Sequence, residues 1–239
     1  MKILILSIYS ENQLYNQMLN LQRKYIRSNP DITTYFVQFR TQTNPVEISE
    51  DFIYVNGTEN RMKITEKTLS ALKYILKDLN QHYDFILRTN ISTLTNFSQL
   101  IPFLNSLPKT NIYCTGNLLN LQWIDHTSGI NDKKLFGTLY AAGTSIILSY
   151  DVAINMIENL DKFRHDIVDD VSFGVYMRNY LSDVINNLRK YKASYLIFEK
   201  KTKITDAKNY VFIRNRINND DNKRNVDLVN MDKTIEIIK

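Results

Sequence analysis

Two adjacent carboxylates, Asp169 and Asp170, are the side chains of this sequence whose chemistry is most specific. Neighbouring carboxylates raise each other's proton affinity above the ordinary aspartate pKa of about 3.9. A carboxylate with a raised pKa is suited to take a proton from a hydroxyl group, as a general base does. The apolar stretch that starts at Val171 predicts a helix, so the same pair could instead cap its first turn. The pair alone leaves both roles open.

A short apolar run that ends in polar residues forms a second candidate site. Phe85 to Leu87 predict a buried strand, and the polar residues after it are Arg88, Thr89, Asn90, Ser92 and Thr93. In open α/β sheets, ligands bind beyond the carboxyl ends of strands. The polar cluster therefore predicts a binding site, with an ordinary loop after a strand as the alternative.

Basic residues in several segments could hold an anionic ligand. The candidates are Arg61, Lys63, Lys67, Arg88, Arg214 and Arg216. Guanidinium groups bind phosphate oxygens bidentately and stay charged. Taken one at a time, most of these residues are also compatible with a solvated surface charge.

Three segments occur in an order that resembles a known family. The polar tip after Leu87 is followed by Tyr140 to Ser149, which has the pattern Y-x-x-G-x-x-x-x-L-S around Gly143, and then by the acidic pair with V-x-x-G, which ends at Gly174. Over roughly residues 1 to 220 this succession resembles the fringe and β-1,3-galactosyltransferase-like group of GT-A glycosyltransferases, in a viral or bacterial type.

The resemblance implies transfer of a sugar from a nucleotide donor, with inversion at the sugar carbon. Such a reaction needs a base for the acceptor hydroxyl and a positive or hydrogen-bonding group for the leaving diphosphate. The family's catalytic carboxylate directly precedes the Val of V-x-x-G, which makes Asp170 the expected base. Asp169 completes the catalytic pair, although helix capping is the favoured role for it.

The resemblance also implies which residues bind the donor. The nucleotide base is expected at the end of the first strand, where Tyr9 either stacks on it or belongs to the core. The diphosphate is expected among the basic groups and at the polar tip. The predicted donor-binding residues are Ser7, Tyr9, Lys67, Arg88, Asn90, Ser92, Arg214 and Arg216.

The acceptor is expected beside the long polar stretch from residue 116 to 136, because loops of this length are usually functional. This stretch holds the only tryptophan of the chain, and an aromatic ring suits the apolar face of a sugar. The predicted acceptor-binding residues are Trp123, Tyr140 and Gly143.

The chain departs from the family where two carboxylates usually hold a divalent metal. The corresponding residues are Asn90, Ile91 and Ser92, and no histidine follows the acidic pair. Neutral amide and hydroxyl oxygens are poor ligands for a hard cation. We therefore predict no metal ligand in the protein, while Mn²⁺ or Mg²⁺ carried by the nucleotide's own phosphates stays open.

Composition places the chain among folded proteins. It has 239 residues, of which 44% are hydrophobic and 23% charged, which suits one large domain. We predict a GT-A-like domain over residues 1–217 and a polar C-terminal tail over 218–239. The net charge of +5 comes without a nucleic-acid-binding motif, so no nucleic-acid partner is predicted.

The sequence also bears on location. Cys114 is the only cysteine, which excludes an internal disulfide and suits a reducing compartment. The apolar run at the start of the chain is too short for a membrane span and lacks a small-residue cleavage site. We predict that this run is the first strand of a cytoplasmic protein, or of one in the host cytoplasm if the source is a virus.

Apolar strands alternate with helical patterns, which predicts an α/β domain with a mostly parallel central sheet flanked by helices. The predicted strands cover 3–8, 35–39, 52–55, 83–87, 111–115, 145–148, 195–198 and 210–213. The predicted helices cover 14–25, 65–79, 96–104, 152–160 and 171–180.

Three functions are compatible with these patterns. A glycosyltransferase is favoured by the acidic pair and the basic groups. A catalytically inactive module that binds nucleotide sugars or glycans is favoured by the missing metal carboxylates. An unrelated nucleotide-binding α/β protein lacks support, because none of the 6 glycines belongs to a G-x-G-x-x-G phosphate loop.

Overall fold

The structure is a computed structural model that describes residues 1–27, 29, 32–198, 202–217 and 224–239. The strands in these ranges are β1 (Ile3–Ile8), β2 (Ile32–Arg40), β3 (Val46–Ser49), β4 (Phe52–Asn56), β5 (Phe85–Asn90), β6 (Thr93–Thr95), β7 (Tyr113–Thr115), β8 (Leu118–Asn120), β9 (Leu139–Ala141), β10 (Ile146–Ser149), β11 (Tyr195–Ile197) and β12 (Phe212–Arg214). The α-helices are α1 (Gln13–Ile26), α2 (Ile64–Lys73), α3 (Phe97–Asn105), α4 (Tyr150–Glu158), α5 (Asp169–Tyr180), α6 (Ser182–Lys190) and α7 (Asn225–Ile238).

In the described part of the chain, seven strands form the central sheet, in the order β3-β4-β2-β1-β5-β10-β7. Strands β4, β2, β1 and β5 pair in parallel, whereas β10 is antiparallel to both β5 and β7, and β3 is antiparallel to β4. Five strands therefore share one direction. The predicted fold class, a single α/β domain with a mostly parallel sheet flanked by helices, is confirmed and is consistent with a GT-A-like fold.

The strand β1 is buried along its whole length because helices cover both faces of the sheet. Successive side chains of a strand point to opposite faces. Ile3 and Ile5 pack into the core layer that also contains residues of α1, α3 and α7. Leu4 and Leu6 pack into the layer that contains residues of α2, α4 and α5. This two-sided burial explains the continuous apolar run at the start of the sequence.

The carboxyl ends of β1 and β5 lie at the same edge of the sheet, since Ile8 pairs with Asn90 in the parallel register. Beyond Asn90 the chain turns into β6, which pairs with β12, and β12 pairs with β11. In that small sheet Arg214 lies opposite Thr93. A segment more than one hundred residues away in sequence is thus brought to the end of β5.

The C-terminal prediction is corrected in part. Residues 218–223 lie outside the described residues, but Asn225–Ile238 forms α7, which packs against α1 instead of extending as a polar tail. Met231, Ile235 and Ile238 are buried at helical spacing, and polar residues between them hide this pattern in the composition. The predicted polar tail therefore stays a prediction only for residues 218–223, which lie outside the described ranges.

Gly174 lies where α5 approaches β9 closely. A Cβ atom at this position would lie 2.6 Å from the Cβ of Tyr140 and 2.7 Å from the backbone oxygen of Leu139. The V-x-x-G pattern therefore has a packing cause, because α5 lies directly on β9. The packing holds the first turn of α5, with its acidic pair, in a defined position.

We expect Gly174→Ala to destabilise the fold by roughly 1–3 kcal/mol through overpacking. In a helix with open space at this position, a Gly→Ala change would increase the free energy of unfolding by about 0.5–1 kcal/mol. The sign of the change in stability therefore distinguishes close packing from open space. Urea unfolding measures it, with Asn179→Ala on the exposed side of α5 as the control. An Ala variant that is more stable than the wild type would contradict the close packing.

None of the helices in the described ranges is both long and apolar enough to cross a bilayer.

Candidate active site

A cleft of about 550 Å³ opens at the sheet edge where β5 ends. Its walls come from β5, from the loop between β9 and β10, from the start of α5, and from the β11–β12 region. The described residues that line it include Tyr15, Arg61, Arg88, Asn90, Asn117, Gly143, Thr144, Asp169, Asp170, Tyr195, Arg214 and Arg216. The three segments that carry the family resemblance thus meet in one place.

Asp170 faces this cleft from the first turn of α5 and is partly exposed. Its Oδ1 accepts a hydrogen bond from the backbone N–H of Val171 at 2.9 Å, and its Oδ2 accepts one from Gly143 at 3.3 Å. Burial and the neighbouring Asp169 carboxylate raise the pKa of Asp170 to about 6, although Arg88 acts in the opposite direction. At neutral pH the group is mostly a carboxylate with a high proton affinity, as a base requires.

Neither carboxylate occupies the N-cap position of α5, although Oδ1 of Asp170 accepts from the N–H of Val171 in the first turn. The N-cap of α5 is Val168, which makes no side-chain capping bond. The carboxylate of Asp169 lies against a guanidinium instead, with its Oδ2 2.5 Å from Nη2 of Arg88. Both carboxylates gain from the positive end of the helix dipole.

Arg88 is buried at the centre of the site. Its Nη2 pairs with Asp169, its Nη1 donates to Oδ1 of Asn90 at 2.8 Å, and its side chain is only 3% exposed. A Cβ atom on Gly143 would lie 2.4 Å from Nη1, so the guanidinium occupies space that any other residue at position 143 would fill. A side chain at position 143 would therefore force the guanidinium of Arg88 to shift from its place between Asp169 and Asn90.

Arg214 and Arg216 bring further positive charge from the other wall. Among the residues that the structure describes, neither guanidinium has an ion-pair or hydrogen-bond partner, and Nε of Arg216 is buried. Burial lowers the pKa of Arg214, and the charges of Arg216 and Arg224 act in the same direction. Nearby, the hydroxyl of Tyr195 lies 2.8 Å from that of Thr144.

The charges of the cleft favour an anionic ligand. Its described lining has four arginines but two carboxylates, and one of these carboxylates is already paired with Arg88. Arginines that have no carboxylate partner attract groups with several negatively charged oxygens, such as phosphates. The cleft therefore combines a carboxylate of raised pKa on one wall with arginines on the other.

Four predicted donor-binding residues, Ser7, Tyr9, Lys67 and Ser92, do not line the cleft, and the prediction is corrected for them. Ser7 is fully buried within β1. Tyr9 is 3% exposed, its hydroxyl bonds to Asn16 and its ring packs edge-on against Phe52, so the core role applies. The backbone N–H of Tyr9 continues the pairing with β2, which carries its side chain into the interior.

Lys67 is the third of these residues. Its Nζ lies 2.8 Å from both carboxylate oxygens of Glu59 and donates to the backbone oxygen of Tyr9 at 3.0 Å. Burial lowers the pKa of Lys67, whereas Glu59 opposes that change. The ammonium group is thus committed to a structural ion pair beneath the site.

The remaining predicted residues are divided between the cleft and its surroundings. Asn90, Gly143, Arg214 and Arg216 line the cleft, whereas Ser92 is buried in the turn before β6. Tyr140 is buried among the apolar residues beside α5, and burial together with the Asp170 charge raises its pKa. Trp123 is 46% exposed on the surface outside the cleft lining.

Tyr15, Asn117, Thr144 and Tyr195 line the cleft but were not predicted from the sequence. Tyr15 belongs to α1, and Tyr195 to a strand whose position depends on its pairing with β12. These contacts are set by tertiary packing, so no local spacing signals them. Thr144 is the exception, because it directly follows Gly143, which was predicted to lie in the site.

The donor atoms at the family's metal position do not fit a protein-held divalent cation. Oδ1 of Asn90 already accepts from Arg88, Ile91 is an apolar core residue, and Ser92 supplies no charge. Nowhere in the described ranges do three His, Cys, Asp or Glu side chains come together as a metal site. Hard cations need several charged oxygen ligands.

Comparison with known proteins gave structural likenesses but no match in sequence. No protein-family model and no curated protein matches the chain. A solved structure described as a glycosyltransferase involved in the glycosylation of the major capsid of PBCV-1 aligns with 97% of this chain and 98% of its own, at a TM-score of 0.42 and 12% identity. The site described above therefore rests on this chain's own residues.

Proposed function

We propose that this chain is a glycosyltransferase that moves a sugar from a nucleotide-sugar donor, linked to uridine diphosphate (UDP), to a hydroxyl group of a glycan or small acceptor. The observation that carries the proposal is the pairing, in one cleft, of Asp170 with unpartnered guanidinium groups. A base and an anion-binding surface are the two parts that this reaction needs. The resemblance of the three motifs to inverting enzymes adds to this support.

In the proposed reaction, Asp170 takes the proton of the acceptor hydroxyl. The acceptor oxygen then attacks the anomeric carbon from the side opposite the diphosphate. The bond between that carbon and the diphosphate oxygen breaks, and its electrons stay on the diphosphate. Arg214 and Arg216 stabilise the charge that develops there, while the proton remains on the Asp170 carboxyl.

The other residues of the cleft hold these groups in place. Asp169 and Asn90 both contact the guanidinium of Arg88 and thereby fix its position. We assign donor contacts to Arg88, Asn90, Arg214 and Arg216, and an acceptor contact to Gly143. Trp123 is too far out on the surface to line the cleft, so we assign it only to an acceptor that extends beyond the opening.

A module that binds a nucleotide sugar or a glycan without turnover is the second candidate. The observation that favours it is the absence of carboxylates at residues 90 to 92. Such a module would use the same guanidinium groups but would not need Asp170 as a base. Turnover by the wild type therefore separates the two candidates.

We also propose that the protein works in a cytoplasmic compartment. Cys114, the only cysteine of the chain, is buried, and burial raises the pKa of its thiol. It is thus an inert core residue that does not take part in a disulfide.

A thermal-shift screen of nucleotide sugars tests the proposed donor. A ligand that binds only the folded state at 100 times its Kd stabilises it by about 2.7 kcal/mol. We expect one UDP-sugar to raise the melting temperature, and a transfer assay with that sugar to yield a glycosylated acceptor by mass spectrometry. If no nucleotide sugar stabilises the protein, the proposed function is wrong.

The rate of transfer is expected to depend on pH through Asp170. Because its pKa is about 6, the base is deprotonated above that pH, and kcat/KM falls about tenfold for each pH unit below it. A pH profile of kcat/KM measures this, with donor affinity by calorimetry at the same pH values as the control. A flat profile between pH 5 and 7, at about the neutral rate, would argue against a carboxylate base.

A further inference from the structure

The guanidinium of Arg88 is held more firmly than any other cation of the cleft. Asp169 forms an ion pair with Nη2 at 2.5 Å, and Oδ1 of Asn90 accepts a hydrogen bond from Nη1 at 2.8 Å. The missing side chain of Gly143 leaves room for Nη1. A long side chain that is fixed by packing and by two polar partners loses little further freedom when it binds a ligand.

Asn90 connects this arginine with the position where the family carries metal carboxylates. Its Oδ1 is directed at Nη1 of Arg88. A metal that used the same oxygen at about 2.2 Å would lie within about 5 Å of that positively charged nitrogen. Like charges this close repel strongly in a partly buried site. The position is therefore already occupied by a cation of the protein.

Two N–H groups around the cleft lack acceptors. In the described part of the chain, Nε of Arg88 and Nε of Arg216 are buried without a hydrogen-bond partner. Both side chains line the same cleft. Buried donors on charged groups are costly to leave unpaired, so an anion with several oxygens would complete the site.

From these contacts we propose that Arg88 takes the place of the divalent cation, so that the cleft binds the diphosphate of its donor without metal. This inference rests on the proposed function, since it concerns the leaving group of that reaction. Arg88 meets the diphosphate from one wall, and Arg214 and Arg216 meet it from the other. Asp169 and Asn90 are positioning residues that act through Arg88.

Calorimetric titration with UDP, once in EDTA and once in Mn²⁺, tests the proposal. We expect Kd values that agree within about threefold, because the guanidinium groups supply the positive charge. Binding that requires Mn²⁺, or that Mn²⁺ tightens more than about tenfold, overturns the inference but leaves the proposed function intact. Absence of UDP binding under both conditions overturns both. Inorganic pyrophosphate, titrated in parallel, separates diphosphate recognition from recognition of the nucleoside.

A double variant, Arg88→Gln with Asp169→Asn, removes the ion pair without leaving a buried charge alone. We expect UDP affinity to fall by about tenfold or more, with no recovery in Mn²⁺. The control is Arg164→Gln with Asp166→Asn, which removes an exposed arginine–aspartate pair outside the cleft lining. Unchanged UDP affinity in the first double variant contradicts the role of Arg88.

Asn90→Asp gives an independent result if that double variant unfolds. A carboxylate at this position would compete with the diphosphate for the Arg88 guanidinium, so UDP affinity should fall in EDTA and in Mn²⁺ alike. If Mn²⁺ instead makes this variant bind UDP more tightly than the wild type, the position is a metal site that had lost its ligand, and the proposal is wrong.

Discussion

Asp170→Asn is expected to lower the rate of glycosyl transfer by roughly 100- to 10,000-fold, the usual contribution of a positioned general base. The amide keeps the shape of the side chain, and its single oxygen can accept from the backbone N–H of either Val171 or Gly143, but not from both. It cannot take a proton from an acceptor hydroxyl. Donor affinity should change little, because the guanidinium groups that meet the diphosphate are untouched.

A stability measurement distinguishes the loss of the catalytic base in Asp170→Asn from a loss of the folded state. The folded-state pKa of Asp170, about 6, exceeds the unfolded value of about 3.9, so the folded state binds more protons between these values. The contribution of this group to stability is therefore present at low pH and is lost as the pH rises through 6. Asn lacks this titration, so the stability of the variant relative to the wild type should rise as the pH rises through 6.

The measurement is kcat with a saturating acceptor, together with donor affinity by calorimetry and a urea unfolding curve. Asp166→Asn is the matched control, since Asp166 is exposed, pairs with Arg164 and does not line the cleft. Near-wild-type turnover in Asp170→Asn would show that another group accepts the proton. The assignment of the acidic pair would then fail, while the donor site would not be affected.

Arg214→Ala combined with Arg216→Ala is expected to have the second large effect, on donor affinity. A hydrogen bond to a charged group contributes roughly 1.5–3 kcal/mol, so the loss of two such partners weakens binding by about 100-fold or more. The turnover of bound donor should fall as well, because the same groups face the charge that develops on the diphosphate.

The fold should tolerate this double change. Burial lowers the pKa of Arg214, and the charges of Arg216 and Arg224 add to this change while Tyr195 opposes it, so removing this charge should cost the fold little. The stability of the free protein should therefore be unchanged or higher. Calorimetry with the identified donor measures the loss of affinity, and exposed Arg189→Ala on α6 is the control. Donor affinity within about threefold of the wild type would remove these arginines from the site.

The elements that position the cleft could be predicted from the sequence because their signals are local. The apolar runs of β1 and β5 indicate buried strands, and in a parallel sheet their polar ends must lie at one edge. The acidic pair and Gly143 could be placed near Asn90 only through the resemblance. Neither periodicity nor composition relates positions 88, 143 and 169.

Other features depend on contacts between distant segments. Tyr9 follows a buried strand and resembles a binding residue, but continued pairing with β2 turns it into the core. From the sequence alone Lys67 resembles a phosphate ligand, but the structure pairs it with Glu59, which precedes α2. The helix α7 has polar residues interspersed with its buried ones, so its composition resembles that of a loop.

The contact between Gly143 and Arg88 has an evolutionary consequence. Because Nη1 lies where a Cβ atom would project from position 143, a larger residue there would displace the guanidinium, so we expect the two positions to vary together. In an alignment of relatives, we expect glycine at 143 wherever arginine stands at 88, and larger residues at 143 only where residue 88 is shorter. Such paired variation would identify, from sequence alone, the relatives that share the guanidinium-centred site.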